Sequence, residues 1–219
     1  MRLTKTFLLS AAIVMGANSM YAAGYSQNGN FLTVQLKHHQ GVGSSLVRLQ
    51  VVSDKIIRVQ ATAEQAFRNK TSLIILPQNA KTDYHVQEQD GKLVITTKAM
   101  RAVLDEKTGH IAFYDLKGNV LLNEVAQGGK TFKPFTVPDR EIGVDIAKVP
   151  EAQKHGWSWR ALFDSPDNEA FYGLGQHQSE ELNMKGKNED LFQYNTKVSV
   201  PFVVSNKNYG ILWDSYSYC

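Results

Sequence analysis

Apolar and polar residues alternate along much of the chain, in short runs. Phe31–Lys37 (FLTVQLK) sets Leu32, Val34 and Leu36 on one side against Phe31, Thr33, Gln35 and Lys37 on the other. A period of two predicts a half-buried β-strand. Leu46–Val52 (LVRLQVV) repeats the pattern, and Lys55–Ala61 (KIIRVQA) follows a turn at Ser53-Asp54. Leu93–Thr97 comes after an Asp90-Gly91 turn, and Arg101–Asp105 joins His110–Tyr114 through Lys107-Thr108-Gly109. Asp115–Asn119 then makes a turn centred on Lys117-Gly118, leading into Val120–Glu124. Connections this short predict a meander of hairpins. Helical patterning is confined to Ala61–Phe67, room for a turn or two, and to Ser179–Met184. Short, evenly spaced strands with so little helix predict an all-β sandwich and argue against a parallel sheet. There is no internal repeat and no linker rich in Pro, Gly or Ser, so residues 24–219 are expected to form one domain.

Composition adds an export signal and removes two classes of partner. Apolar residues make up 42% of the chain, enough for a packed core. The formal charge is +3, and Arg2 and Lys5 supply two of those positives at the extreme N-terminus. Met1–Lys5, the apolar run Phe7–Val14 and the small residues Ala22, Ala23 and Gly24 read as a secretory signal, residues 1–23, cleaved after Ala23. The apolar run is too short to span a bilayer. The remainder is nearly neutral and carries no basic stripe, so neither nucleic acid nor a membrane surface is expected as a partner. The one cysteine, Cys219, allows no internal disulfide, which suits an exported protein of a bacterial periplasm.

The residues alone point to no catalytic centre. Six histidines (His38, His39, His85, His110, His155 and His177) show no metal-ligand spacing, and no cofactor or metal is expected. The glycines of FYGLGQ, Gly173 and Gly175, do not make a phosphate loop, because the third glycine and following helix are missing; they suit a bend or close approach within a strand. A glycosidase needs two carboxyl groups about 5–10 Å apart, and the candidates are Asp164, Asp167, Glu169, Glu180, Glu181, Glu189, Asp190 and Asp214. Glu180-Glu181 and Glu189-Asp190 lie in polar stretches that read as solvated faces. Aromatic residues crowd Phe163–Cys219 beside glycines and amides, which suits either sugar binding or the filling of a sandwich core.

A more specific signal lies in the ordered blocks Glu169–Gln176 (EAFYGLGQ), Gln193–Thr196 (QYNT), Val200-Pro201-Phe202 and Tyr209–Asp214 (YGILWD). With IIRVQ near residue 57 and VLDEKTGHIAFYDLKGNVLLNE at 103–124, they make nearly the whole mature chain resemble the N-terminal domain of glycoside hydrolase family 31, with closest likeness to α-xylosidases and related α-glucosidases. The resemblance implies a galactose-mutarotase-like β-sandwich packed against a (β/α)₈ barrel that carries an aspartate nucleophile and an aspartate acid. Neither catalytic segment has a counterpart in these residues, so the expected polypeptide stops short of the barrel and is inactive alone. It further implies an α-linked oligosaccharide and the catalytic barrel as partners, with a loop at Gly186–Thr196 reaching the barrel mouth. Asn195 is the expected sugar contact there, with Phe192 or Tyr194 stacking on a ring; Gln176 and His177 are weaker candidates with structural roles expected. A free-standing carbohydrate-binding module and a non-functional structural fragment are the alternatives.

Overall fold

A computed structural model describes residues 24–36, 43–68, 71–76, 81–126, 129–136, 145–178, 181–193 and 195–215. The signal segment, Cys219, His38, His39, Glu180 and Tyr194 therefore lie outside the described residues.

The chain is all-β, and every strand pairing is antiparallel. Strands β1 (Tyr25–Asn28), β2 (Phe31–Gln35), β3 (Leu46–Ser53) and β4 (Ile56–Thr62) form one sheet in sequence order. A second sheet contains β5 (His85–Gln89), β6 (Lys92–Thr96), β7 (Met100–Asp105), β8 (Ile111–Asp115) and β9 (Val120–Asn123). The alternating residues decide how these sheets meet. Leu32, Val34, Val47, Leu49 and Val51 from the first sheet share one buried cluster with Leu93, Ile95, Ala102, Leu104 and Ile111 from the second. Burying each such side chain is worth about 1.5–3 kcal/mol, which makes this shared layer the main stabilising feature. It is a β-sandwich core, as the alternation predicts.

Turn chemistry sets the registers. Asp90 and Gly91 both take positive φ (53° and 71°) between paired Gln89 and Lys92, the two-residue hairpin that Asp-Gly favours. At the β8–β9 turn Asp115 accepts hydrogen bonds from the Asn119 side chain and from the backbone N–H groups of Asn119 and Lys117. The Asn119 side chain, then those amides, hold the Asp115 carboxyl below its ordinary range. Its support for the turn is therefore present at neutral pH and fades as pH falls through that lowered value.

Two smaller sheets complete the chain. Strands β10 (Lys130–Thr136) and β11 (His155–Ala161) form a ribbon. It continues from the edge of the five-stranded sheet through the Glu124–Phe163 bridge. The helix α1 (Glu151–Lys154) immediately precedes β11, and a 3-10 turn spans Ile146–Lys148. Strands β12 (Phe171–Gln176), β13 (Val198–Ser205) and β14 (Tyr209–Leu212) form the last sheet. Two expected helices do not form: Ala61 and Thr62 end β4, and 63–66 is a bend, while the described part of Ser179–Met184 is irregular. Neither stretch has an apolar stripe long enough to repay helix nucleation.

At the root of the ribbon Glu124, 3% exposed, accepts from the Ile111 N–H at 3.0 Å and pairs with Lys130. Burial lowers the proton affinity of Lys130, and Glu124 partly restores it. Lys130→Met should cost about 3 kcal/mol in chemical denaturation, because it leaves a buried carboxylate without its cation. The double change with Glu124→Gln should recover most of that loss; equal losses in the single and double variants would contradict the pairing.

Candidate functional site: the β12–β13 loop and its sheet

The FYGLGQ strand is not regular. Its pairing with β13 shifts between Gly173 and Gly175, and Gly173, Leu174 and Gly175 all take positive φ (121°, 65° and 103°). A Cβ on Gly175 would stand 2.0 Å from the Val198 carbonyl oxygen, and one on Gly173 2.6 Å from that of Phe202. These two glycines therefore permit a close approach within a bulged strand, as their spacing predicts. The bulge turns the end of β12 toward the loop that leads to β13.

That loop is anchored from beneath. His177, whose side chain is 6% exposed, places Nε2 2.7 Å from the Leu174 carbonyl oxygen and Nδ1 3.2 Å from Glu189 Oε2. Lys197 Nζ lies 3.4 Å from the same carboxylate and donates to the Asp190 carbonyl at 2.8 Å. Gln178 reaches Thr196 at 2.8 Å, and Gln193 bridges the Lys197 carbonyl and the Ser199 N–H at 2.6 and 3.0 Å. His177 thus has the structural role expected of it, while Gln176 ends β12 opposite Val198, exposed. Asn195 sits at the exposed turn of the loop, just before Thr196 with φ 67°, and Phe192 is 53% exposed. The structure puts both on the solvent side of one loop; Tyr194 is outside the described residues.

Several candidate carboxylates prove to be structural. Glu189 is not a solvated residue: its side chain is only 16% exposed, because it faces His177 and Lys197. Glu169, 3% exposed, accepts from the Ser205 and Tyr209 hydroxyls at 2.5 and 2.7 Å, with Lys207 Nζ 3.8 Å away. Burial, followed by the adjacent Glu169, drives the Tyr209 hydroxyl well above its ordinary range, so Tyr209 is a standing donor. Asp214 bonds Arg58 Nη2 at 2.5 Å and Ser72 Oγ at 2.8 Å, fastening the end of β14 to β4. Asp164 accepts from Asn123 at 2.5 Å, beside the ribbon root.

One face of the last sheet is apolar and uncovered. Val198, Val200, Phe202 and Val204 alternate along β13 at 49%, 42%, 41% and 40% exposure. Tyr172 pairs with Val204 and Leu212 with Phe202, so both belong to the same face. Between them the inward residues Val203 and Ser205 are buried, so the outward row is not core. Alternation alone would bury the wrong side, because the outward row is wholly apolar while the inward row reads Ser199, Pro201, Val203 and Ser205.

Residues 46–219 match the glycosyl hydrolase 31 N-terminal galactose mutarotase-like domain. The chain belongs to that family. Among solved structures, a family 31 α-xylosidase from Xanthomonas citri superposes with a TM-score of 0.74 at 36% identity, covering 88% of this chain and 19% of that one. By sequence, an uncharacterised family 31 glucosidase from Pseudescherichia vulneris is 26% identical over 78% of this chain and 33% of its own length. An α-xylosidase from Saccharolobus solfataricus is 24% identical over 80% of this chain and 23% of its own. This family 31 domain thus spans a third or less of each of these relatives, and those enzymes extend well beyond it.

Proposed function

We propose that this family 31 domain serves an exported retaining α-glycoside hydrolase, acting on α-linked oligosaccharides such as xylosides, by docking to the catalytic barrel and lending it one loop. The observation that carries the proposal is the uncovered apolar face of β12–β14 beside a braced loop. A row of four apolar residues at 40–49% exposure is a cost in water and a gain under a second domain. The loop at 186–196 leaves the same sheet, so docking brings Asn195 and Phe192 to the rim of the barrel mouth. An amide both donates to and accepts from sugar hydroxyls, and an exposed phenyl ring offers a stacking face.

In the enzyme that carries this domain, Asn195→Ala should lower kcat/KM by about 5–30-fold, or about 1–2 kcal/mol for a lost sugar hydrogen bond. An unchanged kcat/KM on aryl α-xyloside and α-glucoside would remove Asn195 from the site.

A further inference from the structure

The ribbon β10–β11 lies apart from that loop and carries two of the three tryptophans. Trp157 pairs with Pro134 and Trp159 with Phe132, so both indoles leave the same face, about 7 Å apart along the strand. They are 37% and 45% exposed. Trp157 is fixed in place: buried Phe132 meets it edge-on, with centroids 6.5 Å apart at 88°, and its Nε1 donates to Glu64 Oε1 at 3.3 Å. Arg68 holds that carboxylate through Nε at 3.1 Å. Next to Trp157 on the same face Thr136 pairs with His155 in register, their side chains 3.2 Å apart, and His155 also meets Glu151 at 3.0 Å, which Lys154 pairs in turn.

We propose that Trp157 and Trp159 form a platform that binds an uncharged oligosaccharide, on a different element from the loop at 186–196. A sugar ring presents C–H faces that cover an indole and hydroxyls that need partners at its edge. The ribbon offers both, with Glu64–Arg68 against Trp157 and Thr136–His155 next along the same face. Arg68 pairs Glu64 and Lys154 pairs Glu151, so the platform exerts little net field on an ionic polymer. An indole already held by Phe132 and Glu64 loses little freedom on binding. A protein partner needs about 800 Å² from each side, more than two indoles on a two-stranded ribbon provide. The choice of a saccharide rests on the proposed glycosidase role; the platform itself rests on the ribbon.

The test is calorimetric titration of the full 219-residue chain with maltoheptaose, isomaltotriose and a xylosylated cello-oligosaccharide. Saturable binding of at least one probe is expected. Trp159→Ala should weaken it about tenfold or more, and the Trp157→Ala/Trp159→Ala pair should abolish it. Trp213→Phe should leave it intact. Circular dichroism checks folding; if Trp157→Ala fails to fold, the exposed Trp159→Ala decides alone. Binding of no probe, or binding indifferent to Trp159, overturns the platform, as does a dimer in sedimentation that Trp159→Ala dissolves. A chain that binds no saccharide yet docks to the catalytic domain overturns the platform only and leaves the domain role standing.

Discussion

Gly175→Val should destabilise the chain by about 4 kcal/mol or more and lower its Tm by roughly 8–16 °C, if it folds at all. Two independent costs add at this position. The residue holds φ 103°, a conformation that a β-branched side chain rarely adopts. Its Cβ would also meet the Val198 carbonyl oxygen at 2.0 Å, with Val200 N at 2.9 Å. Both obstacles are backbone atoms of the paired strand, so no side-chain rotation relieves them. The register of β12 on β13 must shift instead, and with it the buried ties of Glu169 to Ser205 and Tyr209. Gly118, with φ 91° but open space where a Cβ would go, is the control. Its replacement by Ala should cost about 1 kcal/mol. Similar losses at both positions would show that the close approach at Gly175 has been misjudged.

The meander was legible because its residues carry both signals at once. Val34 and Leu49 alternate with polar neighbours, Leu32, Val51, Leu93 and Leu104 have a polar neighbour on one side, and each lies in the shared core. Asp90-Gly91 announces its turn because few other pairs accept positive φ twice. The ribbon was not legible: KTFKPFT and HGWSWRA expose most positions, so no alternation marks a buried side. The helix expected at Ala61–Phe67 failed for a related reason. Ala61 and Thr62 complete β4 and pair with Val47 and Leu46, and long-range pairing overrides weak local propensity.

The candidate loop was legible only as a resemblance. Nothing in QYNT says that Gln193 and Thr196 bond within the loop while Asn195 sits at its turn; that division comes from Gln178 reaching Thr196 and from Gln193 meeting Ser199. The carboxylates show the same limit. Glu169 and Glu189 look like any acidic residue in a polar stretch, yet one is sealed under Tyr209 and the other lies between Lys197 and the His177 ring. Burial of a charged group depends on its cross-strand partners, which no local pattern reports. The apolar face of β13 could not be told from core for the opposite reason: Val198, Val200, Phe202 and Val204 alternate with Ser199, Pro201, Val203 and Ser205 just as a buried row would, and only the fold reveals that this row is left exposed.

Replacing Phe202 on that face should have the second large effect, on association more than on stability. Its ring is 41% exposed in this chain and lies over Gly210, whose added Cβ would meet it at 2.8 Å. Phe202→Asp gives up that packing over Gly210, about 1–2 kcal/mol, so its Tm should fall by only about 2–8 °C. Under a docked domain the same change gives up about 1.5–3 kcal/mol of buried phenyl and sets an unpaired carboxylate against apolar surface. The combined loss should exceed about 3 kcal/mol, more than two orders of magnitude in affinity. Val200→Asp, 42% exposed on the same row, should behave alike.

We propose the β12–β14 face as the surface on which this family 31 domain meets a catalytic domain, and the decisive experiment is sedimentation of the chain mixed with that separately produced domain. A one-to-one complex is expected with the unchanged chain, and two separate species with Phe202→Asp. A complex equally tight with Phe202→Asp and Val200→Asp, or no complex with the unchanged chain, would contradict it.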